Sequence, residues 1–297
     1  MNTHARQQFL GSGSSMLLEN VCAGIVGLGG GGSHIAQQLA HIGVGKFVLA
    51  DFDRYEDKNH NRTVGGEYRD IARGEHKASI AERMVHRINP YAELSVVKSE
   101  WQSALSTLRG CDVLFGCLDS FAQRDQLERL SRRYLIPYID IGMDVHLGQF
   151  GHSVQGQVVL SLPGDLCMRC FNFLRDDLIE DEARRYGEAG GRPQVIWPNG
   201  VLASSAVGVF MQMVTPWHQR VPSGSTMLDY DGNRHQIAVS SRVAALSGAM
   251  CDHFDGATDI GDPLWRPSGP AGEPTMKAFL MKVSRAFHSA QNRFRKR

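Results

Sequence analysis

Residues 21–53 are the part of this chain that most limits the folds it can adopt. They begin with a short apolar run and pass into a glycine-rich turn at residues 27–32, GLGGGG. Apolar residues then recur at helical spacing until Gly43, and a second apolar run at residues 47–50 leads into Asp51. This order of strand, glycine turn, helix and strand predicts a βαβ unit of the dinucleotide-binding type.

The chemistry of such a unit is phosphate and ribose binding. Gly27, Gly29 and Gly32 allow the backbone to approach a phosphate closely, and the free N–H groups at the start of the helix face it. Asp51, at the end of the second strand, is placed to accept hydrogen bonds from ribose hydroxyls. The motif predicts a nucleotide site but does not by itself distinguish NAD from another nucleotide.

Predicted strands and helices alternate up to residue 141. Helices are predicted at residues 75–88, 104–108 and 120–134, and strands at residues 94–97, 112–117 and 138–141. Residues 149–160 then alternate in polarity, and residues 227–239 fit a hairpin with an Asp-Gly turn. The predicted fold is α/β, a Rossmann-like, doubly wound and mostly parallel sheet extended by antiparallel strands in the C-terminal half.

Composition argues against several classes of partner. Lys and Arg total 32 against 31 acidic residues, which gives no overall bias towards nucleic acid or an anionic membrane. The longest apolar stretch, residues 201–214, is too short and too polar to span a bilayer and fits a buried helix. Because we see no signal peptide, we expect a cytoplasmic protein whose six cysteines are reduced or bind metal.

Charged residues downstream of Asp51 bear on which nucleotide is bound. A dinucleotide phosphate needs little more than the glycine loop and the helix dipole, whereas a triphosphate attacked at one phosphorus needs cations around it. Arg62 and Lys77 are candidates for those cations. Asp119 ends a strand expected beside the glycine loop, where its carboxylate could hold Mg²⁺.

Several separated motifs share the order and spacing of one enzyme family. They are the stretch at residues 27–53, Asn59 with Arg62, Lys77 before RINP, GCLDS at residues 116–120, Pro163 with CMRC at residues 167–170, and NGV…GV at residues 199–209. An N-terminal RQ…FLG at residues 6–11 adds to them. Over most of residues 5–240 the chain resembles the ThiF/MoeB/HesA superfamily, the adenylyltransferases that are similar to ubiquitin-activating enzymes.

The resemblance implies ATP-dependent adenylation of the C-terminal glycine carboxylate of a small ubiquitin-like or sulfur-carrier protein, with release of pyrophosphate. The residues implied in nucleotide binding are Gly27, Gly29, Gly30, Asp51, Asp53 and Asn59, and those implied in catalysis are Arg62, Lys77, Asp119 and Arg6. Asp119 would hold Mg²⁺, and Arg6 would reach the site of a neighbouring subunit, which implies a homodimer. Because the substrate carboxylate is already ionised, positioning and electrostatics suffice without a general base.

Two departures from the family pattern stand out. Ser120 occupies the position after the acid where the family usually has Asn, and the loop here is unusually rich in glycine.

The same resemblance suggests a division of the chain. Residues 1–262 would form the adenylation domain, with a nucleotide-binding half at 20–145 and a carrier-protein-binding half at 146–262. Residues 263–275 would be a Pro/Gly-rich linker, followed by a basic helix at 276–297 that docks an acidic partner or packs on its own domain. Residues 176–197 are predicted to cross over the site and receive the carrier's tail, or else to be an ordinary exposed loop.

The cysteines suggest a metal site. Cys167 and Cys170 form a CxxC after a Pro-Gly turn, a spacing that suits zinc. Related enzymes usually add a second CxxC near the C-terminus, and Cys251 with His253 stands in that region here. We expect these four residues to bind Zn²⁺, the alternative being a loop with ordinary thiols. The remaining cysteines, Cys22, Cys111 and Cys117, are expected to be packing residues, so the enzyme would form the adenylate without a thioester of its own.

Three other functions remain open at this point. A member of the same superfamily could adenylate a small carboxylate, such as a modified base in tRNA. An NAD-dependent oxidoreductase would need a His or Tyr proton donor beside the nicotinamide, and no motif nominates one. A nucleotide-binding scaffold without catalysis would have no need of Arg62, Lys77 and Asp119 together.

Overall fold

The structure, a computed structural model, describes residues 4–149, 151–184, 193–218 and 224–254. The predicted linker at residues 263–275 and the predicted basic helix at residues 276–297 lie outside the described residues. So does the middle of the predicted crossing segment, residues 185–192.

One eight-stranded sheet runs through the described residues. Its strands are β1 (Cys22–Val26), β2 (Lys46–Ala50), β3 (Glu93–Val97), β4 (Val113–Gly116), β5 (Tyr138–Gly148), β6 (Gly151–Ser161), β7 (Thr226–Asp231) and β8 (Gln236–Val239). Their spatial order is β3-β2-β1-β4-β5-β6-β7-β8. The pairs from β3 to β5 are parallel and those from β5 to β8 are antiparallel. The predicted fold class is confirmed.

Helices cover both faces of this sheet. They are α1 (Ser14–Asn20), α2 (Gly30–Ile42), α3 (Tyr68–Arg73), α4 (Lys77–Ile88), α5 (Leu105–Leu108), α6 (Phe121–Arg133), α7 (Asp176–Arg184), α8 (Ile196–Val214) and α9 (Ser241–Ala245). Successive strand side chains point to opposite faces, so Ile25 belongs to the core under α2, α4 and α8, and Val26 to the core under α6. None of the described helices combines the length and apolar character needed to cross a bilayer.

The largest difference from the sequence prediction concerns β5. A strand was expected at residues 138–141, whereas β5 continues to Gly148 and pairs with β6 along all 11 of its residues. In its second half Met143, Val145 and Leu147 alternate with polar residues, but most of these positions are exposed, so this half depends on hydrogen bonds from β6 rather than on burial. The short helices α1, α3 and α9 were also not predicted, since each offers at most two turns of periodicity.

Candidate active site

A cavity of about 560 Å³ opens where the parallel strands end and the glycine loop turns into α2. This is the edge at which doubly wound sheets bind their ligands. The predicted site residues that line the cavity are Gly27, Gly29, Gly30, Asp51, Asp53, Arg62, Lys77 and Asp119. The fold therefore brings together residues that lie up to 92 positions apart in the chain, from Gly27 to Asp119.

The glycine loop is tight for reasons of packing as well as ligand approach. Gly27 has a φ of +87°, and a Cβ there would collide with the carbonyl oxygen of Cys117. A Cβ on Gly32 would collide with the Gly27 carbonyl, whereas one on Gly29 would meet no protein atom within 4 Å. No side chain caps the start of α2 at Gly29, so the N–H groups of its first turn are left for a ligand.

Asp51 joins the end of β2 to the glycine loop. Its side chain is buried, and its carboxylate accepts hydrogen bonds from the backbone N–H groups of Leu28, at 2.6 Å, and Asp53, at 2.8 Å. Burial raises the pKa of Asp51, while the Lys77 charge and the two backbone hydrogen bonds oppose the shift. The carboxylate is thus fixed in place at the cavity wall, with lone pairs left to accept from a ligand.

Lys77 opens α4 and is held at the cavity by Asp53. The Lys77 ammonium lies 2.6 Å from the Asp53 carboxylate, and the Lys77 backbone N–H donates to the Asp53 carbonyl at 3.1 Å. Only 10% of the lysine side chain is exposed, so its charge acts in a medium less polar than water. A partly buried cation beside the glycine loop suits an anionic group.

Arg62 and Asn59 differ in their placement. The Arg62 guanidinium lines the cavity and donates to the Lys58 carbonyl and to Asn61 Oδ1. Asn59 is buried outside the cavity lining, and its Oδ1 accepts the Glu56 backbone N–H at 2.9 Å. The Asn59 carbonyl in turn accepts the Arg62 N–H at 3.1 Å. In this arrangement Asn59 shapes the turn that carries Arg62, and its predicted contact with nucleotide stays a prediction.

Asp119 follows β4 and contacts Gln194, in the segment that begins at residue 193. Its Oδ1 accepts a hydrogen bond from the Gln194 amide at 3.2 Å, and the Gln194 carbonyl accepts from Asn61 at 3.0 Å. Gln194 therefore connects the loop that carries Arg62 with the acid after β4.

Glu182 is a residue that sequence reasoning missed. It lies on α7, and its carboxylate accepts hydrogen bonds from Ser120 Oγ at 2.8 Å and from the backbone N–H groups of Phe121 and Ala122 at 3.2 and 3.1 Å. A carboxylate at a helix N-terminus is favoured by the helix dipole. No local pattern identifies this contact, because its partners lie 60 to 62 positions away. Both described ends of the predicted crossing segment thus reach the cavity rim.

A buried ionic pair, also missed, forms another part of the cavity wall. Arg124 donates to the Asp140 carboxylate, and Tyr138 donates to the same carboxylate at 2.7 Å. Asp140 is fully buried on β5. Arg124 lines the cavity and lies over the ring of Phe173 at 5.5 Å. No sequence pattern pairs an arginine in the first turn of α6 with an aspartate on β5.

The buried Arg124–Asp140 pair makes the free energy of unfolding depend on pH. Burial raises the pKa of Asp140 to about 6, against the effects of Arg124 and Tyr138. A carboxyl with a raised pKa in the folded state favours folding when protonated, and this contribution is lost as the pH rises through that pKa. Relative to Asp140→Asn, we expect the wild-type free energy of unfolding to fall by about 1 kcal/mol between pH 5 and pH 7. Urea titrations of both proteins at each pH measure it, and a constant difference would contradict the prediction.

Arg6 lies outside the lining of the cavity in this single chain. It is exposed on a 3₁₀ helix, Ala5–Leu10. The structure thus leaves Arg6 available to a neighbouring molecule, and its predicted role in a partner's site stays a prediction.

The four predicted metal ligands come together at one place. One ligand atom from each of Cys167, Cys170, Cys251 and His253 lies within 4.8 Å of every other. The Cys167 and Cys170 sulfurs are 3.6 Å apart and lie 3.6 and 3.4 Å from His253 Nδ1, which also lies 3.2 Å from an Asp252 oxygen. Tetrahedral zinc with Zn–S of about 2.3 Å requires sulfurs about 3.8 Å apart. The donor set and its spacing therefore fit Zn²⁺.

Of the other three cysteines, Cys111 is buried and Cys22 and Cys117 are half-buried. Cys22 and Cys111 face each other with sulfurs 3.9 Å apart, and Cys117 lies on the cavity wall below the glycine loop. Burial raises the pKa of Cys117, so its thiol stays protonated at neutral pH and is a poor nucleophile.

Comparison with known proteins identifies relatives that are similar to this chain in sequence. Molybdopterin-synthase adenylyltransferase of Escherichia coli K12 is 27% identical over 211 residues, which cover 70% of this chain and 77% of that protein. Ubiquitin-like modifier-activating enzyme 5 of Dictyostelium discoideum is 26% identical over 168 residues, which cover 52% of this chain and 42% of that protein. The matched region thus spans less than half of the latter relative.

Solved structures share the fold. E. coli MccB with ATP aligns with a TM-score of 0.64 at 20% identity, covering 81% of this chain and 71% of that one. MccB with MccA-N7isoASN aligns with a TM-score of 0.66 at 19% identity, covering 81% and 72%. The sequence model of the ThiF family matches residues 2–250. The chain therefore belongs to the ThiF family.

Proposed function

We propose that this protein uses Mg·ATP to adenylate the C-terminal glycine carboxylate of a small ubiquitin-like or sulfur-carrier protein, releasing pyrophosphate. The observation that carries the proposal is the convergence of Arg62, Lys77 and Asp119 on one cavity with the glycine loop and Asp51. The names of the relatives, an adenylyltransferase and a modifier-activating enzyme, support the same reaction.

In the proposed reaction a carboxylate oxygen attacks the α-phosphorus of ATP, and the bond to the pyrophosphate oxygen breaks with its electron pair. Negative charge therefore increases on the phosphates as pyrophosphate leaves. Lys77 and Arg62, at the phosphate end of the cavity, would stabilise that charge, and Asp51 would hold the ribose. The protein supplies positions and charges, since the attacking oxygen is already ionised.

Asp119 would hold the magnesium ion. Its carboxylate lines the cavity and makes one hydrogen bond among the described residues, the 3.2 Å contact with Gln194, so lone pairs remain for a cation. Mg²⁺ prefers carboxylate and phosphate oxygens, which this position offers when ATP is bound. A bound Mg²⁺ would neutralise phosphate charge and orient the leaving group.

The lining of the cavity disfavours hydride transfer. Among the described lining residues there is no His or Tyr that could serve as the proton donor of a dehydrogenase. The charged lining residues are instead two cations suited to phosphates, Arg62 and Lys77, together with Arg124 and four aspartates.

A route for a protein tail also supports the proposal. A groove runs over β6, β7 and β8 and is bounded by Tyr230, Gln236 and Arg242. Asp144, Gln157 and Phe173 line both the groove and the cavity, so the two spaces adjoin. An extended C-terminus could lie in the groove and end beside the glycine loop, which a small isolated carboxylate would not require.

The test is ATP–pyrophosphate exchange by the purified protein, with and without a candidate small protein that ends in Gly-Gly. Exchange that requires the carrier is expected. Exchange with a small carboxylate alone would favour the tRNA-base type of substrate, and tight NAD binding without exchange would return the assignment to a dehydrogenase.

Zinc would be structural in this proposal, because the Cys167–Cys170–Cys251–His253 cluster offers four ligands and leaves no open position. We expect one zinc per chain by plasma emission spectroscopy. Removal by a chelator should lower the melting temperature by several degrees, with ATP-independent recovery on adding zinc. The variant His253→Ala should retain less zinc and show little further response to chelator. A full metal content in that variant would contradict the ligand set.

Arg6 is proposed to complete the site of a second copy. Phe9, 68% exposed on the same 3₁₀ helix, packs edge-to-face on Trp217 at 6.1 Å and marks an apolar surface suited to a dimer. Arg6→Ala and Asp119→Ala should each be inactive alone. Mixed and allowed to exchange subunits, they should recover about a quarter of wild-type exchange, because half the dimers carry one intact site. Mixtures as inactive as either variant would show that Arg6 acts elsewhere.

A further inference from the structure

Arg124 and Gln157 form a second polar region of the cavity, separate from the phosphate-binding end. Arg124 lies in the first turn of α6, and Gln157 lies on β6 directly opposite Gly142 of β5 in the antiparallel register. β2, which precedes Arg62 and Lys77, is three positions from β5 in the sheet. At the usual strand spacing this is a separation of about 14 Å.

The side chains of Arg124 and Gln157 meet over Gly142, which has no side chain to keep them apart. A Cβ on Gly142 would collide with the Gln157 amide nitrogen and lie 2.7 Å from Arg124 Nη2. Arg124 is only 7% exposed, and its contact with Asp140 uses Nη1. Among the described residues, neither Arg124 Nη2 nor the Gln157 amide makes a hydrogen bond, so both groups keep N–H donors for a ligand in the cavity that they line.

Arg124 and Gln157 together offer two hydrogen-bond donors to a ligand. Arg124 Nη2 and the Gln157 amide nitrogen offer N–H groups to acceptor oxygens, and Asp140 already neutralises one unit of charge on the guanidinium. Phe173 and Met143 supply an apolar wall at the same end of the cavity. Two donors beside an apolar wall suit the two carbonyl oxygens of a terminal peptide unit.

We propose that Arg124 and Gln157 bind the acyl end of the substrate, Arg124 at the activated carboxyl group and Gln157 at the carbonyl of the preceding peptide bond. This inference rests on the proposed function and deepens it, because it names the residues that would recognise the terminal glycine and the peptide bond before it. The chain beyond that peptide bond leaves through the groove that shares Gln157 and Phe173 with the cavity.

Stable analogues of the acyl-adenylate test this assignment. Sulfamoyladenosine carries no acyl group, its acetylglycyl derivative carries one peptide bond, and its pentanoyl derivative has the same length without that bond. By calorimetry on the full-length protein, the acetylglycyl compound should bind about 30- to 100-fold more tightly than sulfamoyladenosine, and the pentanoyl compound should lie between them.

Gln157→Glu changes one group without changing size. It should lower affinity for the acetylglycyl compound at least about tenfold, because a carboxylate then faces the peptide carbonyl, and leave sulfamoyladenosine unchanged. Arg124→Lys, which keeps a cation beside Asp140, should weaken both acyl compounds. Gln126→Glu, at an exposed position of α6, adds the same charge as a control and should change none of the three affinities.

The outcomes distinguish a failure of the Arg124–Gln157 subsite from a failure of the proposed function. An acetylglycyl preference that survives in Gln157→Glu, or equal weakening of all three compounds, would overturn the assignment of this subsite while leaving adenylation intact. A wild-type protein that binds neither ATP nor any sulfamoyladenosine would overturn the proposed function itself.

Discussion

Replacing Asp119 by asparagine is expected to lower the rate of carrier-dependent ATP–pyrophosphate exchange by about 10²- to 10³-fold, the usual effect of removing one preorganised electrostatic group from a transition state. Asparagine keeps the shape of the side chain and removes the charge that would hold Mg²⁺. Asp119 is exposed and makes one hydrogen bond, to Gln194, among the described residues. The urea midpoint of the variant should therefore match that of the wild type.

Gln194→Ala is the matched control for this experiment. It removes the hydrogen bond to Asp119 and keeps the carboxylate, so the exchange rate should change by less than about tenfold. Raising the Mg²⁺ concentration should partly restore Asp119→Asn if weakened metal binding causes the loss. An equal loss in both variants would mean that Asp119 serves to hold the chain after residue 193 rather than to bind the metal.

The largest effect on stability is expected at Arg132. This side chain is 1% exposed and donates to Ser161 Oγ at 2.8 Å and to the Asp165 and Leu166 carbonyls at 3.0 Å. Arg132→Met would leave the fully buried Glu128 without its neighbouring cation. Breaking a buried ionic pair from one side costs about 3–5 kcal/mol, so the free energy of unfolding in urea should fall by that amount.

Arg129 provides the comparison on the same helix. Its side chain is 54% exposed and pairs with Asp125 at 2.8 Å, so Arg129→Met should cost less than about 1 kcal/mol. The double variant Glu128→Gln/Arg132→Met should lose less than Arg132→Met alone, because no buried charge is then left unpaired. A similar loss for Arg129→Met and Arg132→Met would show that helix propensity, rather than the buried network, determines the effect.

The nucleotide-binding half of the fold could be predicted from the sequence because its determinants are local. The strand before Gly27, the helix that ends at Gly43 and the acid after β2 each follow from residues within one supersecondary unit. The order of the parallel strands then placed Asp119 beside the glycine loop. His253 could be matched with the CxxC only through the resemblance, since 83 residues separate it from Cys170.

What the sequence did not reveal depends on partners that are distant in the chain. Glu182 reaches the start of α6, and Asp140 faces Arg124, only after the sheet and helices have assembled. Asn59 has a structural role that the motif did not indicate. Its side chain closes a capping box with Glu56 and supports the turn that carries Arg62, while its predicted contact with nucleotide stays a prediction. A residue type in a motif does not by itself separate a ligand contact from a structural one.

Helix α6 contacts both the cavity and the segment that carries the cysteine cluster. Its first turn carries Arg124 at the cavity, and Glu128 accepts the backbone N–H of Met168, the residue next to Cys167. One rigid element of 13 residues therefore joins the nucleotide cavity to the cysteine cluster. Zinc that shifted this helix on binding would change the affinity of the cavity for nucleotide. Thermodynamic reciprocity then requires nucleotide to change the affinity for zinc by the same factor.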